Sequence, residues 1–144
     1  MSHPKAKWIL AILEIAPLDR IRIMKALFLL WRRAREIRGF FQFEPYLYGP
    51  CSFEVYAVLE KLEEEGLIVQ LPHPIPQWAK YHLTERGRDQ ANRAVEEIDR
   101  ELRHQLEEIT REVSRLSFYD LLKRVYDEAP EFAENSVLKG VLKQ

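Results

Sequence analysis

The sequence predicts a mainly helical α+β protein, and three observations lead to this fold class. Apolar residues recur at three- and four-residue spacing in several long segments, as on the buried side of amphipathic helices. The five glycines and eight prolines fall in clusters between those segments. Two short runs near the middle of the chain carry β-favouring residues on either side of a proline-rich segment. With 144 residues, of which 47% are hydrophobic, the chain is long enough to enclose one core.

Two helices are predicted before residue 40. The first covers Lys7 to Ile15 and ends before Pro17. Asp19 is placed to cap the second helix, Arg20 to Arg38, whose inner apolar residues advance by four and three positions. Gly39 is the expected C-terminal stop of that helix.

An extended segment, a third helix and a hairpin are predicted next. Aromatic residues at alternate positions favour a short edge strand from Phe40 to Tyr48, followed by a turn at Gly49-Pro50. Ser52 is placed to cap a helix that runs to Glu65, with Tyr56 among its inward-facing residues. The arms of the hairpin are predicted at Leu67 to Leu71 and at Lys80 to Leu83.

The next part of the chain is predicted to form one long helix. Thr84 is its expected N-cap, and apolar residues recur up to Leu116 at nearly heptad spacing. A helix over residues 84–116 would be about 49 Å long, so part of its apolar seam would extend beyond its own small domain. We therefore expect the seam to pair two chains in a homodimer, with packing inside one chain as the alternative. The seam residues are Val95, Ile98, Leu102, Leu106, Ile109, Val113 and Leu116.

Short helices are predicted to close the chain. Ser117 and Asp120 have the spacing of a capping box for a helix that runs through Glu128. Pro130 can open a last short helix.

The order of these elements is that of a winged helix-turn-helix domain. Two helices, an extended segment and a third helix are followed by a two-stranded wing hairpin. Residues 1–84 would form this domain, and residues 85–144 a long helical extension with short C-terminal helices, packed on it. Since such domains commonly place the third helix in the major groove, the order predicts double-stranded DNA as a partner.

Two stretches of sequence resemble known families. Tyr81 to Gly87, Y-H-L-T-E-R-G, resembles the stretch with which winged-helix regulators of the PadR and MarR type leave the wing. Glu44 to Tyr56, which contains Y-G-P-C-S-F-E-V-Y, together with Gly66 to Ile68, resembles YwgA-like small prokaryotic winged-helix proteins and, more loosely, the Panacea (SocA-like) antitoxin domain. Leu122 to Ser136 is similar to the C-terminal part of YwgA-like proteins. The resemblance implies a winged-helix fold and defines no catalytic or ligand-binding residue.

The distribution of charge disfavours the usual mode of DNA reading. The whole chain carries 22 Lys+Arg and 23 Asp+Glu. Residues 51–65, around the third helix, hold five Glu and one Lys, which phosphates would repel. Residues 1–45 hold nine basic and four acidic residues. Four of the basic residues share one arc of the second helix, opposite its apolar stripe: Arg22, Lys25, Arg32 and Arg33.

Two functions remain open from the sequence. The first is a non-enzymatic DNA-binding regulator of the transcriptional or antitoxin type, with contacts from Arg22, Lys25, Arg32, Arg33, Ser52, Lys61 and Lys80. For the basic arc itself, a solvated outer face is the plainer interpretation. The second function is a protein-interaction module that has lost DNA binding, such as an antitoxin or defence-system accessory that engages a toxin. Its candidate contacts are Glu54, Glu60, Glu64, His73, Ile75 and Trp78.

The sequence contains no motif that predicts catalysis or a cofactor. It has no P-loop, Gly-rich phosphate cradle, nucleophile elbow or H-E-x-x-H pattern. Cys51 has no evident base partner, and His73 and His82 lack further ligands at zinc-like spacing, so we expect no metal. With one cysteine, no signal-like segment and no apolar run of about 18 residues, the chain is predicted to be cytoplasmic and free of membrane contact.

Overall fold

The computed structural model describes residues 3–34, 37–47 and 49–133. The helices are α1 (Ala6–Ile15), α2 (Arg20–Arg33), α3 (Phe53–Glu64), α4 (Glu85–Glu96), α5 (Arg100–Arg115) and α6 (Phe118–Glu128). The strands are β1 (Leu18–Asp19), β2 (Glu44–Tyr46), β3 (Gly49–Cys51), β4 (Ile68–Gln70) and β5 (Lys80–Leu83). Two 3-10 turns cover Pro76–Trp78 and Pro130–Ala133. The predicted mainly helical α+β class is therefore confirmed.

Helix α2 lies at the centre of the fold. Residues 23–30 are all buried, and α1, α5, α6 and β3 pack around them. The predicted cap is confirmed, because Asp19 Oδ1 accepts the backbone N–H of Arg22 at 2.9 Å. The predicted end at Arg38 is wrong: α2 stops at Arg33, and Gly39 lies in a later turn with φ +66°. Residues 35–36 of the predicted helix lie outside the described residues.

The early end of α2 has a packing reason. The chain turns back so that three aromatic side chains, Phe40, Phe41 and Phe43, enter the core. Phe43 packs against Phe28 and Trp31 of α2, with ring centroids 5.5 Å apart in both pairs. Burying these rings outweighs the gain from one more helical turn.

Three strands form a small antiparallel sheet in the order β1-β5-β4. The predicted hairpin is confirmed, since β4 pairs with β5 in a register that places Ile68 opposite Leu83. Strand β1 pairs with the other side of β5, with Leu18 opposite Tyr81. A strand of two residues has too little periodicity to be recognised in the sequence.

The segment around Gly49 differs from its prediction. Gly49-Pro50 is not a turn but part of β3, which pairs with β2 so that Tyr46 lies opposite Gly49. Tyr48, the last residue of the predicted edge strand, lies outside the described residues. A Cβ at position 49 would come within 2.7 Å of the Tyr126 ring, and the backbone there has φ +90°. Because glycine has no Cβ, α6 can pack against the β2–β3 hairpin at this position.

The predicted long helix is two helices. Helix α4 ends at Glu96, and Asp99 caps α5 by accepting the N–H of Glu101 at 3.1 Å. The corner lets α4 pack along α1 and α5 along α2, with Ile98 buried at the corner itself. The Thr84 cap is confirmed, because its hydroxyl accepts the N–H of Gly87 at 3.0 Å.

The apolar seam of this region packs inside the chain. Ile98, Leu106, Ile109 and Val113 are buried, and the other seam residues, Val95, Leu102 and Leu116, are half-buried against the same core. Since the helix is divided, the length argument for pairing two chains through this seam does not hold. The structure shows the alternative arrangement, packing within one chain.

The C-terminal elements share the core of the preceding residues. The Ser117 cap and the end of α6 at Glu128 are confirmed, with Ser117 Oγ accepting the N–H of Asp120 at 3.1 Å. The helix expected after Pro130 is a 3-10 turn that reaches Ala133. Residues 134–144, which include the last part of the predicted extension and of the similarity up to Ser136, lie outside the described residues.

Candidate interaction surface

Lys25 does not lie on an exposed basic arc. Its side chain is 4% exposed, and its Nζ donates to the carbonyl oxygen of Pro50 at 3.0 Å. Burial lowers the pKa of Lys25 to about 8. The prediction that Lys25 contacts DNA phosphates is therefore wrong, because the group is covered by β3.

Arg22 is held by its own fold. Its guanidinium bonds Asp19 Oδ2 at 2.6 Å and the carbonyl oxygen of Leu116 at 2.7 Å, and it lies 5.8 Å from the centre of the Trp78 ring. These contacts join the start of α2 to the end of α5. The side chain is mostly buried, at 16% exposure, so little of its charge faces solvent.

Arg32 and Arg33 face the C-terminal elements. Arg32 forms an ion pair of 2.9 Å with Glu131, and Arg33 lies 4.0 Å from Glu128. The three arginines of the predicted arc therefore hold the C-terminal part of the chain onto α2, while Lys25 bonds β3, and the four cations do not form a free basic surface.

The other three predicted DNA contacts are Ser52 and Lys61, at the start and in the body of α3, and Lys80 on β5. Ser52 is buried, and its backbone N–H donates to Met24 Sδ at 3.3 Å. Ser52 occupies the N-cap position of α3, but its side chain makes no capping bond within the described residues, so that predicted role is wrong. Lys61 on α3 and Lys80 on β5 are exposed.

The residues predicted to contact a protein partner are mostly at the surface. Glu60, Glu64, His73 and Ile75 are exposed, whereas Glu54 forms an ion pair with Lys5. Trp78 folds back onto the body of the protein, where its ring meets Phe118 edge-on with centroids 4.9 Å apart. Trp78 is therefore only partly available to a partner.

An exposed aromatic patch was missed by the sequence analysis. It consists of Tyr46, Leu47, Phe53 and Tyr56, with exposed fractions of 45%, 45%, 53% and 37%. Phe53 lies between the two tyrosines, with ring centroids 5.3 Å from Tyr46 and 6.4 Å from Tyr56. The β2–β3 hairpin and the first turn of α3 together present this surface. The prediction that Tyr56 faces inward is wrong.

Acidic side chains continue the patch along α3. Positions 53, 56, 60 and 64 are three or four residues apart and so lie on one side of the helix. Its N-terminal half is aromatic, and its C-terminal half carries the exposed Glu60 and Glu64. Exposed Glu44 on β2 adds a further carboxylate to the hairpin that bears the patch.

A buried polar cluster lies beneath the patch. Cys51 is buried and hydrogen-bonds the hydroxyl of Tyr56, and it also interacts electrostatically with Lys25. Burial is the largest cause of the raised pKa of Cys51, and it is also the largest cause of the raised pKa of Tyr56. The thiol is therefore held in its protonated, weakly reactive form.

Neither a metal site nor a membrane-spanning helix is found among the described residues. Among them, no group of three or more His, Cys, Asp or Glu side chains is arranged to hold a metal ion. None of the helices in the described ranges combines the length and apolarity needed to cross a bilayer.

No protein-family model matches the chain, and no curated protein or solved structure matches it significantly. The site must therefore be interpreted from its own chemistry.

Proposed function

We propose that this chain is a non-enzymatic protein-interaction module built on a winged-helix scaffold. The order α1, β1, α2, α3, β4, β5, with the β2–β3 hairpin inserted between α2 and α3, and the sheet order β1-β5-β4 support the scaffold. In this scaffold α3 occupies the position of the recognition helix, and the β4–β5 hairpin that of the wing. The chain uses the outer face of α3 for protein rather than for DNA.

The exposed aromatic patch is the observation that carries the proposal. Aromatic side chains are enriched at the centres of protein interfaces, because they bury a large area at a small entropic cost. Phe53 is more than half exposed at the first position of a helix whose other apolar residues are mostly buried. A contiguous cluster of this kind is costly to leave in water unless a partner covers it.

The charges around the patch indicate the chemistry of the partner. The exposed carboxylates of Glu60 and Glu64 would repel a phosphate backbone but attract Lys and Arg side chains. We infer that the partner presents apolar side chains for the patch and basic side chains for the carboxylates. A toxin neutralised by an antitoxin-type module is one protein of this description.

DNA binding is less well supported by the same geometry. Among the seven residues predicted to contact DNA, Lys25 and Ser52 are buried and Arg22, Arg32 and Arg33 are engaged inside the fold. Two exposed lysines on different elements neutralise too few phosphates for tight binding at ordinary salt concentrations.

A display selection tests the proposal directly. Random peptides of about 16 residues are selected on the wild-type chain alone, and the selected peptides are then measured on the double variant Tyr46→Ser/Phe53→Ser. We expect enrichment of peptides that combine apolar and basic residues and that bind the wild type at least tenfold more tightly. The matched control, Val69→Ser/Leu71→Ser, removes two exposed apolar side chains of the β4–β5 hairpin and should bind as the wild type does.

A DNA titration tests the alternative function, DNA binding. Random duplex DNA is titrated with the chain at about 50 mM salt, where phosphate contacts are strong. We expect no saturable binding. Saturable binding with a log–log salt slope of roughly −2 would instead support the regulator function, and its loss in Lys61→Met/Lys80→Met would locate the contacts.

A further inference from the structure

A second surface feature, away from the aromatic patch, has the composition of a ligand site. A cleft of about 520 Å³ opens between the β4–β5 loop, the start of α2 and the junction of α5 with α6. We call it the loop cleft, and the residues that line it include Arg22, His73, Trp78, Lys80, Ser114 and Phe118. Its volume lies within the range of about 300–1,000 Å³ that is usual for small-molecule sites.

Part of the lining of the loop cleft is apolar. Pro17 and Leu18 also line the cleft, and the rings of Trp78 and Phe118 meet edge-on with centroids 4.9 Å apart. Both rings are half-buried, so each keeps part of its surface toward the cleft. A flat apolar ligand can lie against such a wall in the offset or edge-on geometry that aromatic groups prefer.

The polar groups of the loop cleft carry a net positive charge. Asp19 is neutralised by Arg22, whose guanidinium is fixed by that carboxylate and by the Leu116 carbonyl. Lys80 is exposed and makes no ion pair or side-chain hydrogen bond within residues 3–34, 37–47 and 49–133. Its charge is therefore not compensated by the fold.

His73 contributes a directed hydrogen-bond donor. Its Nδ1 accepts the backbone N–H of Ile75 at 2.9 Å, so the neutral ring carries its proton on Nε2. Nδ1 is thus occupied within the loop, while Nε2–H is the ring donor left for a ligand. The ammonium group of Lys80 and the N–H donor of His73 can hydrogen-bond a carboxylate, and the neighbouring aromatic rings can pack against an aromatic ring that carries it.

We propose that the loop cleft binds a small organic anion with a planar aromatic body. The carboxylate meets Lys80 and His73, and the ring lies against Trp78 and Phe118. Since none of these residues belongs to the aromatic patch, ligand binding here and partner binding there can succeed or fail independently.

The test uses 2-naphthoate as the probe, with the full chain. We expect calorimetric titration to give saturable binding with a Kd below about 1 mM. In nitrogen–proton spectra, the indole N–H resonance that is absent from Trp78→Phe should shift on titration, while those of Trp8 and Trp31 stay in place. Lys80→Met should weaken binding at least tenfold, and the matched exposed-lysine control Lys61→Met should leave it unchanged.

Two further probes separate charge from shape. The neutral 2-naphthamide should bind at least tenfold more weakly than 2-naphthoate, because it offers no carboxylate to Lys80. Inorganic phosphate, which has no aromatic body, should fail to displace 2-naphthoate at equal concentration. The proposal is overturned if 2-naphthoate does not bind at about 10 mM, if Lys80→Met binds it as wild type does, or if either comparison probe binds equally well.

Discussion

Burying the ammonium group of Lys25 carries an electrostatic cost. It lies in the middle of α2, hydrogen-bonded to the Pro50 carbonyl and with no carboxylate partner among the described residues. Lowering its pKa from 10.5 to about 8 corresponds to about 3 kcal/mol against the charged form. Such a cost at a position beneath the aromatic patch indicates that Lys25 is not there for stability.

Replacing Lys25 with an apolar side chain of similar length should stabilise the chain. For Lys25→Met we expect the free energy of unfolding at pH 7 to rise by about 2 kcal/mol, since the relieved desolvation exceeds the lost bond to Pro50. Urea denaturation measures the change. Lys61→Met, at an exposed position on α3, should leave stability within about 0.5 kcal/mol of wild type. A loss of stability in Lys25→Met would show that the ammonium group is net favourable.

The stabilisation by Lys25→Met should depend on pH. Lys25 loses its proton near pH 8 in the folded chain but near pH 10.5 in the unfolded chain. Between these two pH values the unfolded chain binds one more proton, so the unfolding free energy of the wild type rises with pH relative to that of the variant. The pKa values of Cys51 and Tyr81 are raised in the folded chain, that of Tyr81 to about 12. These two groups therefore lower the stability of the folded chain as pH rises above their ordinary pKa values. Tyr81 is common to both proteins and cancels in the difference. We expect the difference in unfolding free energy to shrink between about pH 8 and pH 10, and a constant difference would contradict the assignment.

Local chemistry at single residues was predictable, whereas side-chain environment was not. Asp19, Thr84 and Ser117 cap helices as the sequence indicates, because a cap depends on only three or four neighbouring residues, whereas the buried Ser52 makes no capping bond. The burial of Lys25 depends on which elements cover α2. With nearly every position from 23 to 30 apolar, the sequence does not reveal that β3 closes over that side.

At the scale of elements, the corner between α4 and α5 determines the architecture. Residues 97–99 redirect the chain so that α4 follows α1 and α5 follows α2. The heptad pattern conceals this corner, because Ile98 keeps the apolar spacing while serving as a corner residue. Asp99 is the local signal, since it is a good N-cap in the middle of a predicted helix.

Removing the cap of α5 should weaken the corner. For Asp99→Ala we expect a loss of about 1 kcal/mol in unfolding free energy, because two backbone N–H groups, of Glu101 and Leu102, lose their acceptor. Chemical denaturation measures it. Asp89→Ala, at an exposed position inside α4, should cost nothing or stabilise slightly. If α4 and α5 formed one continuous helix, Asp99→Ala would be as harmless as Asp89→Ala.

At the scale of the whole molecule, the seam residues close a single core. Leu106 and Val113 are fully buried within the chain, so they cannot also form an interface between two chains. Leu106→Ala should lower the free energy of unfolding by about 3 kcal/mol. The midpoint should not change over a roughly hundredfold range of protein concentration. A midpoint that rises with concentration would show that the seam is shared between chains.

The scaffold was more predictable than the surface it presents. Helix order and the β4–β5 hairpin follow from periodicity and turn residues, which act locally. The aromatic patch depends on the pairing of β2 with β3, which brings Tyr46 beside Phe53. The spacing of residues within a single segment does not predict the contact between Tyr46 and Phe53. The same holds for the arginines of α2, whose partners Glu128 and Glu131 are about 100 residues further along the chain.

We expect the outer face of α3 and the β2–β3 hairpin to bind protein. This expectation is tested most directly by the dissociation constant of one display-selected peptide, measured on wild type, Tyr46→Ser/Phe53→Ser and Val69→Ser/Leu71→Ser. We expect at least a tenfold weaker constant for the first variant and an unchanged one for the second. Equal constants for all three proteins, or a loss confined to the second variant, would contradict the account.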